Sequence, residues 1–124
     1  MPIVTIMIGE GGSGGALALA VANEVWMLEN ATYSILSPEG FASILWKDSR
    51  RAEEAAKVMK ITAKDLHQLK IIDKIIPEYK PSTDDNIQQI AGYIKNNLKE
   101  FLAKYENVDE ATIVNNRYNR FRNY

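Results

Sequence analysis

Cysteine is absent from the 124 residues, and histidine occurs once, as His67. The first absence excludes disulfides and thiolate metal sites, and the second leaves no set of imidazoles to build a zinc centre, so no metal is expected. Neither sign of charge dominates: 15 Lys and Arg stand against 16 Asp and Glu, for a net charge of −1. A chain so balanced exerts no overall pull on nucleic acid or on anionic membranes. Long apolar runs are missing too, none approaching the roughly 18 residues of a membrane span. Met1-Pro2 passes straight into Ile3-Val4, without the basic segment and apolar core of a secretory leader. The expectation is a cytoplasmic protein with neither a membrane nor a nucleic-acid partner.

What is present is the balance of a globular domain: 46% hydrophobic and 25% charged residues, in a length that suits one small core. Glycine is unevenly spent. Of seven, five lie in Gly9-Glu10-Gly11-Gly12-Ser13-Gly14-Gly15. This stretch follows the apolar run Ile3–Ile8 and leads into Ala16-Leu17-Ala18-Leu19-Ala20-Val21-Ala22. A strand (2–8), a glycine turn (9–15) and a short helix (14–23) are expected, the helix packing closely through its glycines and alanines. Such a turn bares backbone N–H groups and the positive end of a helix, which suits an anionic or oxyanionic ligand.

The first strand is apolar at almost every position, as strands buried on both faces are, and needs neighbours on both sides. The remaining sequence offers few. The chain therefore reads as the C-terminal part of something larger, or as a half that needs a partner. Val25–Leu28 and Thr32–Leu36 read as strands too close together to be a parallel crossover in one sheet. Ser37 is the expected cap of a helix with Pro38 at its first position and Glu39 near its positive end, continuing through Phe41–Trp46. Asp48 or Ser49 caps a helix to Met59, and Thr62, with Asp65 three residues on, caps another to Leu69. Residues 71–77 are extended, 80–85 form a polar hinge, and Ser82 or Thr83 caps a long amphipathic helix. Its apolar face runs Ile87, Ile90, Ala91, Ile94, Leu98, Phe101, Leu102, Tyr105. Two regions follow: 1–79, containing the glycine turn, and 80–124, a C-terminal helical extension.

Four chemistries compete for the glycine turn. Gly9-Glu10-Gly11-Gly12-Ser13-Gly14 matches the dinucleotide pattern G-x-G-x-x-G, with Glu29 placed as a ribose acid. Against this stand a helix too short and two strands without a crossover. Gly11-Gly12-Ser13-Gly14-Gly15 matches the nucleophile elbow, with Asp48 or Asp65 and then His67 in hydrolase order. Yet His67 falls on an amphipathic helix beside Asp65, as a solvated surface histidine would. A phosphate loop needs Lys then Ser or Thr after the last glycine, and Gly15-Ala16 fails that. An oxyanion hole of backbone N–H groups needs no catalytic side chain, which fits a turn this bare.

The glycine stretch through Ala18, Met27-Leu28, Thr32–Gly40 with Ala42–Trp46, Asp65-Leu66, Leu69–Glu78 and Arg117-Tyr118 together resemble one family, the α subunit of bacterial acetyl-CoA carboxylase carboxyltransferase. The resemblance implies a crotonase-like (ClpP/crotonase) α/β fold of stacked ββα turns, here without the N-terminal half of its core. It implies transfer of a carboxyl group from carboxybiotin, borne on a biotin carboxyl carrier protein, to acetyl-CoA, giving malonyl-CoA for fatty acid synthesis. The implied partners are a carboxyltransferase β subunit in an α2β2 assembly, the carrier protein and biotin carboxylase. Carried over by motif, the N–H groups of Gly11 and Gly12 hold the biotin ureido oxygen, supported by Gly9, Ser13, Gly14, Gly15 and Glu39. The partner's oxyanion hole serves the thioester. Glu10 and Glu39 remain open to a plain capping role. Another acyl-CoA acceptor such as propionyl-CoA, or an inactive assembly module built on the long helix and the 117–124 tail, are the alternatives. That tail interleaves Arg117, Arg120 and Arg122 with Tyr118, Phe121 and Tyr124, a weak nucleic-acid signature.

Overall fold

The computed structural model describes residues 1–78 and 84–124, except the side chains of 84 and 85. The expected cap at Ser82 or Thr83 and the boundary between 79 and 80 lie outside the described residues, as does most of the expected hinge.

The strands are β1 Val4–Met7, β2 Glu10–Gly12, β3 Glu24–Leu28, β4 Thr32–Ser34 and β5 Lys74–Ile76. The α-helices are α1 Ser13–Leu19, α2 Pro38–Trp46, α3 Ala52–Met59, α4 Ala63–Gln68, α5 Asp84–Tyr105 and α6 Glu110–Arg122. One parallel sheet has the order β1-β3-β5, and a separate two-stranded parallel sheet pairs β2 with β4. The close strands β3 and β4 thus belong to different sheets, as their short connection demanded.

Strand β3 is the spine. Val25, Trp26 and Met27 are at most 1% exposed, because β1 and β5 flank it on both edges. Burying side chains of this size stabilises the fold by roughly 1.5–3 kcal/mol each. Strand β1 corrects the expectation from its composition. Among the described residues it pairs on one side only, and of its four residues only Met7 is fully buried. The neighbour its apolar sequence called for is not supplied by the described residues.

Local capping follows the sequence closely. The Gly40 N–H donates to Ser37 Oγ at 3.1 Å, Arg50 N–H to Asp48 Oδ1 at 3.1 Å, and Asp65 N–H to Thr62 Oγ1 at 3.3 Å. Between Asp48 and α3, residues Ser49–Arg51 form a single 3-10 turn where continuous helix was expected. Helix α1 is shorter than expected, ending at Leu19 with Ala20 as its C-cap. Helix α5 lays Phe101 and Tyr105 on the sheet, with the Phe101 ring edge-on to Trp26 at 6.2 Å, while Ile87 and Leu102 of the same apolar face stay exposed.

Helix α6 lies within the expected helical extension, but its bounds were not placed, because residues 107–124 carry little apolar periodicity. The available signal was its cap: Asp109 accepts the Thr112 N–H at 3.1 Å, with Glu110 following in the first turn. Its Ile113 joins the same buried cluster as β3, Phe101 and Tyr105.

Candidate functional site

The β2–β4 ladder brings together two sequence motifs. Gly12 stands opposite Ser34, so the glycine stretch runs beside the strand that leads into Ser37-Pro38-Glu39-Gly40. The Ser34 hydroxyl donates to the Leu36 carbonyl at 2.7 Å, bending the chain toward α2. The result is a cleft of about 740 Å³ with Gly11, Gly12 and Ser13 on one side and Ser37, Pro38 and Glu39 on the other. Glu10 also lines it. Glu39 is exposed in the first turn of α2, where its charge meets the helix's positive end, and Ser37 spends its oxygen on the cap. Gly9, Gly14 and Gly15 do not line this cleft.

Ladder phase decides which backbone groups of the glycine stretch are held by β4. The Thr32 N–H donates to the Gly9 carbonyl at 2.9 Å, and Gly11 is in register with Tyr33. In a parallel ladder, alternate residues turn both polar backbone groups toward the neighbouring strand. Gly11 therefore faces β4 with both its N–H and C=O, and the Gly12 N–H points the other way. Of the two donors expected from the motif, the ladder leaves Gly12 free of the sheet.

The glycines of the turn are not there for left-handed backbone. None has positive φ; the left-handed residue of the turn is Ser13, at φ 58°. A non-glycine residue held there costs roughly 1–2 kcal/mol. Gly11 is needed for space, since a Cβ on it would lie 2.7 Å from Met7 Sδ and 3.5 Å from the Tyr33 ring. At Gly9, Gly12, Gly14 and Gly15 a Cβ would meet nothing within 4 Å. Close packing through Gly14 and Gly15 was the expectation, and the structure instead leaves both exposed.

The competing motifs find other roles. Glu29 accepts the Glu78 N–H at 3.0 Å while Glu78 accepts the Asn30 N–H at 2.8 Å, a reciprocal clamp between the ends of β3 and β5. His67 is exposed on α4 and is not among the residues around Ser13 in the cleft. In the tail, Arg117 donates to Asn23 Oδ1 at 2.7 Å and to the Met1 carbonyl at 2.9 Å. Arg120 donates to Asp73 Oδ2 at 3.0 Å and to the Ile71 carbonyl at 2.8 Å. Two of the tail's three guanidiniums are thus turned into the chain. Burial pushes the Asp73 carboxyl above its ordinary range, against the Val25 N–H and the Arg120 charge.

A half-open cleft walled by a strand–helix turn and a second ββ corner defines a class of α/β protein. The solved structure of transcarboxylase 12S, with methylmalonyl-coenzyme A and methylmalonic acid bound to that protein, superposes on this chain with a TM-score of 0.63 at 18% identity. The match covers 86% of this chain and 20% of the other, and the shared architecture is crotonase-like.

A family profile described as acetyl co-enzyme A carboxylase carboxyltransferase-like matches residues 1–124, and the chain belongs to that family. The acetyl-coenzyme A carboxylase carboxyl transferase subunit alpha of Clostridium perfringens is 58% identical over 123 residues, covering 99% of this chain. In Clostridium tetani the similar protein is named for subunits beta/alpha together, at 53% identity over 122 residues, 98% of this chain and 21% of that one. The chain spans 45% of the Clostridium perfringens protein's length.

Proposed function

We propose that this chain supplies the biotin-facing wall of a carboxyltransferase that moves a carboxyl group from carboxybiotin, carried on a partner protein, to acetyl-CoA, giving malonyl-CoA for fatty acid synthesis. The observation that carries the reading is that the glycine turn and the Ser-Pro-Glu-Gly turn line one cleft. The relative named for beta and alpha subunits supports a β subunit as partner, which would close the cleft and bind the thioester. The carrier protein, biotin carboxylase, an α2β2 assembly and a cytoplasmic setting complete the proposal.

The donor set fits the ligand. A ureido oxygen gathering negative charge needs N–H groups in a space free of side chains, and Gly12 carries none, with nothing within 4 Å of where a Cβ on it would stand. When bound, carboxybiotin supplies the carboxyl group and, once that group has left, a base for the α-proton of acetyl-CoA. The Gly12 N–H stabilises the ureido oxygen. Gly11, locked to β4, keeps the Gly12 peptide aimed into the cleft, and Ser13 forces the sharp exit into α1 that keeps Leu17 and Leu19 away from it. Gly9, Gly14 and Gly15 keep the surrounding backbone bare. Glu39 steadies α2 rather than touching the reacting atoms.

Malonyl-CoA decarboxylation, driven by a soluble biotin derivative, tests this in a complex of the full-length family subunit carrying this segment with its β subunit. Biotin-dependent release of acetyl-CoA is expected. Turnover that ignores biotin overturns the reading.

A further inference from the structure

We propose that the apolar pocket beside the cleft holds the aliphatic arm that tethers the biotin ring to its carrier. This rests on the reading of the cleft given above. The pocket has a volume of about 320 Å³, and its walls include Ile35, Phe41, Met59 and Leu66. Ser34, Leu36 and Ile61 line both this pocket and the polar cleft, so one cavity continues into the other.

The polar groups of that shared rim are already used. The Ser34 hydroxyl donates to the Leu36 carbonyl at 2.7 Å, and the Ile61 carbonyl accepts the Tyr33 N–H at 3.1 Å. What the rim offers a ligand is hydrocarbon. The order of surfaces, backbone N–H groups first and apolar side chains next, matches a ligand with a polar ring at one end and a methylene chain leading away. The phosphates of coenzyme A do not match it, because none of the residues lining the pocket is charged.

Ile35 stands at the mouth with 69% of its surface exposed, an isoleucine left in water without a partner among the described residues. Each methylene buried there is worth about fourfold in affinity. Tyr33 lines the pocket while its ring lies against Gly11, so an occupied pocket also presses on the strand that aims Gly12.

The test is equilibrium binding by calorimetry to the assembled carboxyltransferase containing this chain. Two ligands are compared: biocytin, which carries the whole arm, and the bicyclic ureido ring with its chain removed. Biocytin is expected to bind at least about tenfold more tightly. Ile35→Asp, at an exposed position where folding is undisturbed, should erase most of that advantage and leave the chainless ring unaffected. Ile35→Leu should keep it, and Met59→Gln should reduce it from the opposite wall. Equal affinities in the unaltered protein, or an unchanged ratio in both polar variants, would overturn the arm assignment while the cleft reading stands. Failure of both ligands to bind would overturn the cleft reading and this one with it.

Discussion

The Glu24 carboxylate and the Lys104 ammonium meet at 2.9 Å, joining β3 to α5 across 80 positions of sequence. The same carboxylate accepts the Trp26 Nε1 proton at 2.8 Å, so one buried acid satisfies both a cation and the indole of the central strand. Burial alone would raise its pKa, but the hydrogen bonds from Lys104 and Trp26 outweigh it and hold the carboxyl below the usual 4.5.

The pH dependence follows from that sign. A carboxyl lowered in the fold contributes stability above its unfolded value and loses it as pH falls through the folded one. Stability from Glu24 should be complete above about 4.5 and decline on further acidification. Asp73 works in the opposite direction: its raised value favours the protonated form, so its contribution is lost as pH rises through that value. Glu24→Ala should cost about 2 kcal/mol at neutral pH, because it leaves the fully buried Trp26 N–H without an acceptor. It should also flatten the acid decline in urea unfolding. Lys104→Ala, at an exposed ammonium, should cost under about 1 kcal/mol. An acid limb unchanged in Glu24→Ala would refute the assignment.

Gly11 and Gly12 should separate stability from function. Gly11→Ala drives a Cβ to 2.7 Å from the buried Met7 sulfur, and overpacking of this kind costs about 1–3 kcal/mol in thermal or chemical unfolding. Gly12→Val has an extended backbone, φ −128°, and open space, so unfolding should move by less than about 0.5 kcal/mol. Its side chain should fill the cleft and lower biotin-dependent turnover of the assembled enzyme by at least about a hundredfold. Full turnover in Gly12→Val would remove the oxyanion role.

Two helices end on lysines in the left-handed region, α2 on Lys47 at φ 59° and α3 on Lys60 at φ 56°, and Lys70, at φ 60°, follows the Leu69 cap of α4. Glycine adopts that conformation without the Cβ clash that lysine suffers. Lys60→Gly, after the last turn of α3, should therefore raise stability by about 1 kcal/mol, measured by denaturant midpoint. A midpoint that falls instead would show that the lysine stem contributes packing there.

Asn23 is the hub that ties the C-terminal helix to the sheet. Its Oδ1 accepts the Ile3 N–H at 3.0 Å and the Arg117 guanidinium at 2.7 Å, and its Nδ2 donates to the Ile113 carbonyl at 3.0 Å. Asn23→Ala strands three partners and should cost about 3 kcal/mol, with early loss of α6 in hydrogen exchange. Arg117→Ala should give a smaller part of the same effect. Should α6 amides exchange no faster in Asn23→Ala, the clasp would not be what holds the helix.

Much of this was legible along the chain because its causes are local. Ser37, Asp48 and Thr62 cap their helices through oxygens two or three residues from the N–H they satisfy, and the apolar run of β3 announces a buried strand. The bare glycines and the Ser-Pro-Glu-Gly turn were legible as motifs, and with them the family to which the chain belongs. Tertiary structure decided the rest, for reasons that act at a distance. Only the β2–β4 register shows that Gly11 turns its polar backbone groups to the sheet and Gly12 turns its own away from it, since ladder phase depends on a partner strand distant in sequence. Only packing shows that Gly11 is demanded by the Met7 sulfur and that the turn bends at Ser13 rather than at a glycine. The tail's arginines read alike in sequence, and acceptors distant along the chain, Asn23 and Met1 for Arg117, Asp73 and Ile71 for Arg120, turn two of them inward. Composition set what could be buried, and the pairing of strands set which backbone groups were left for a ligand.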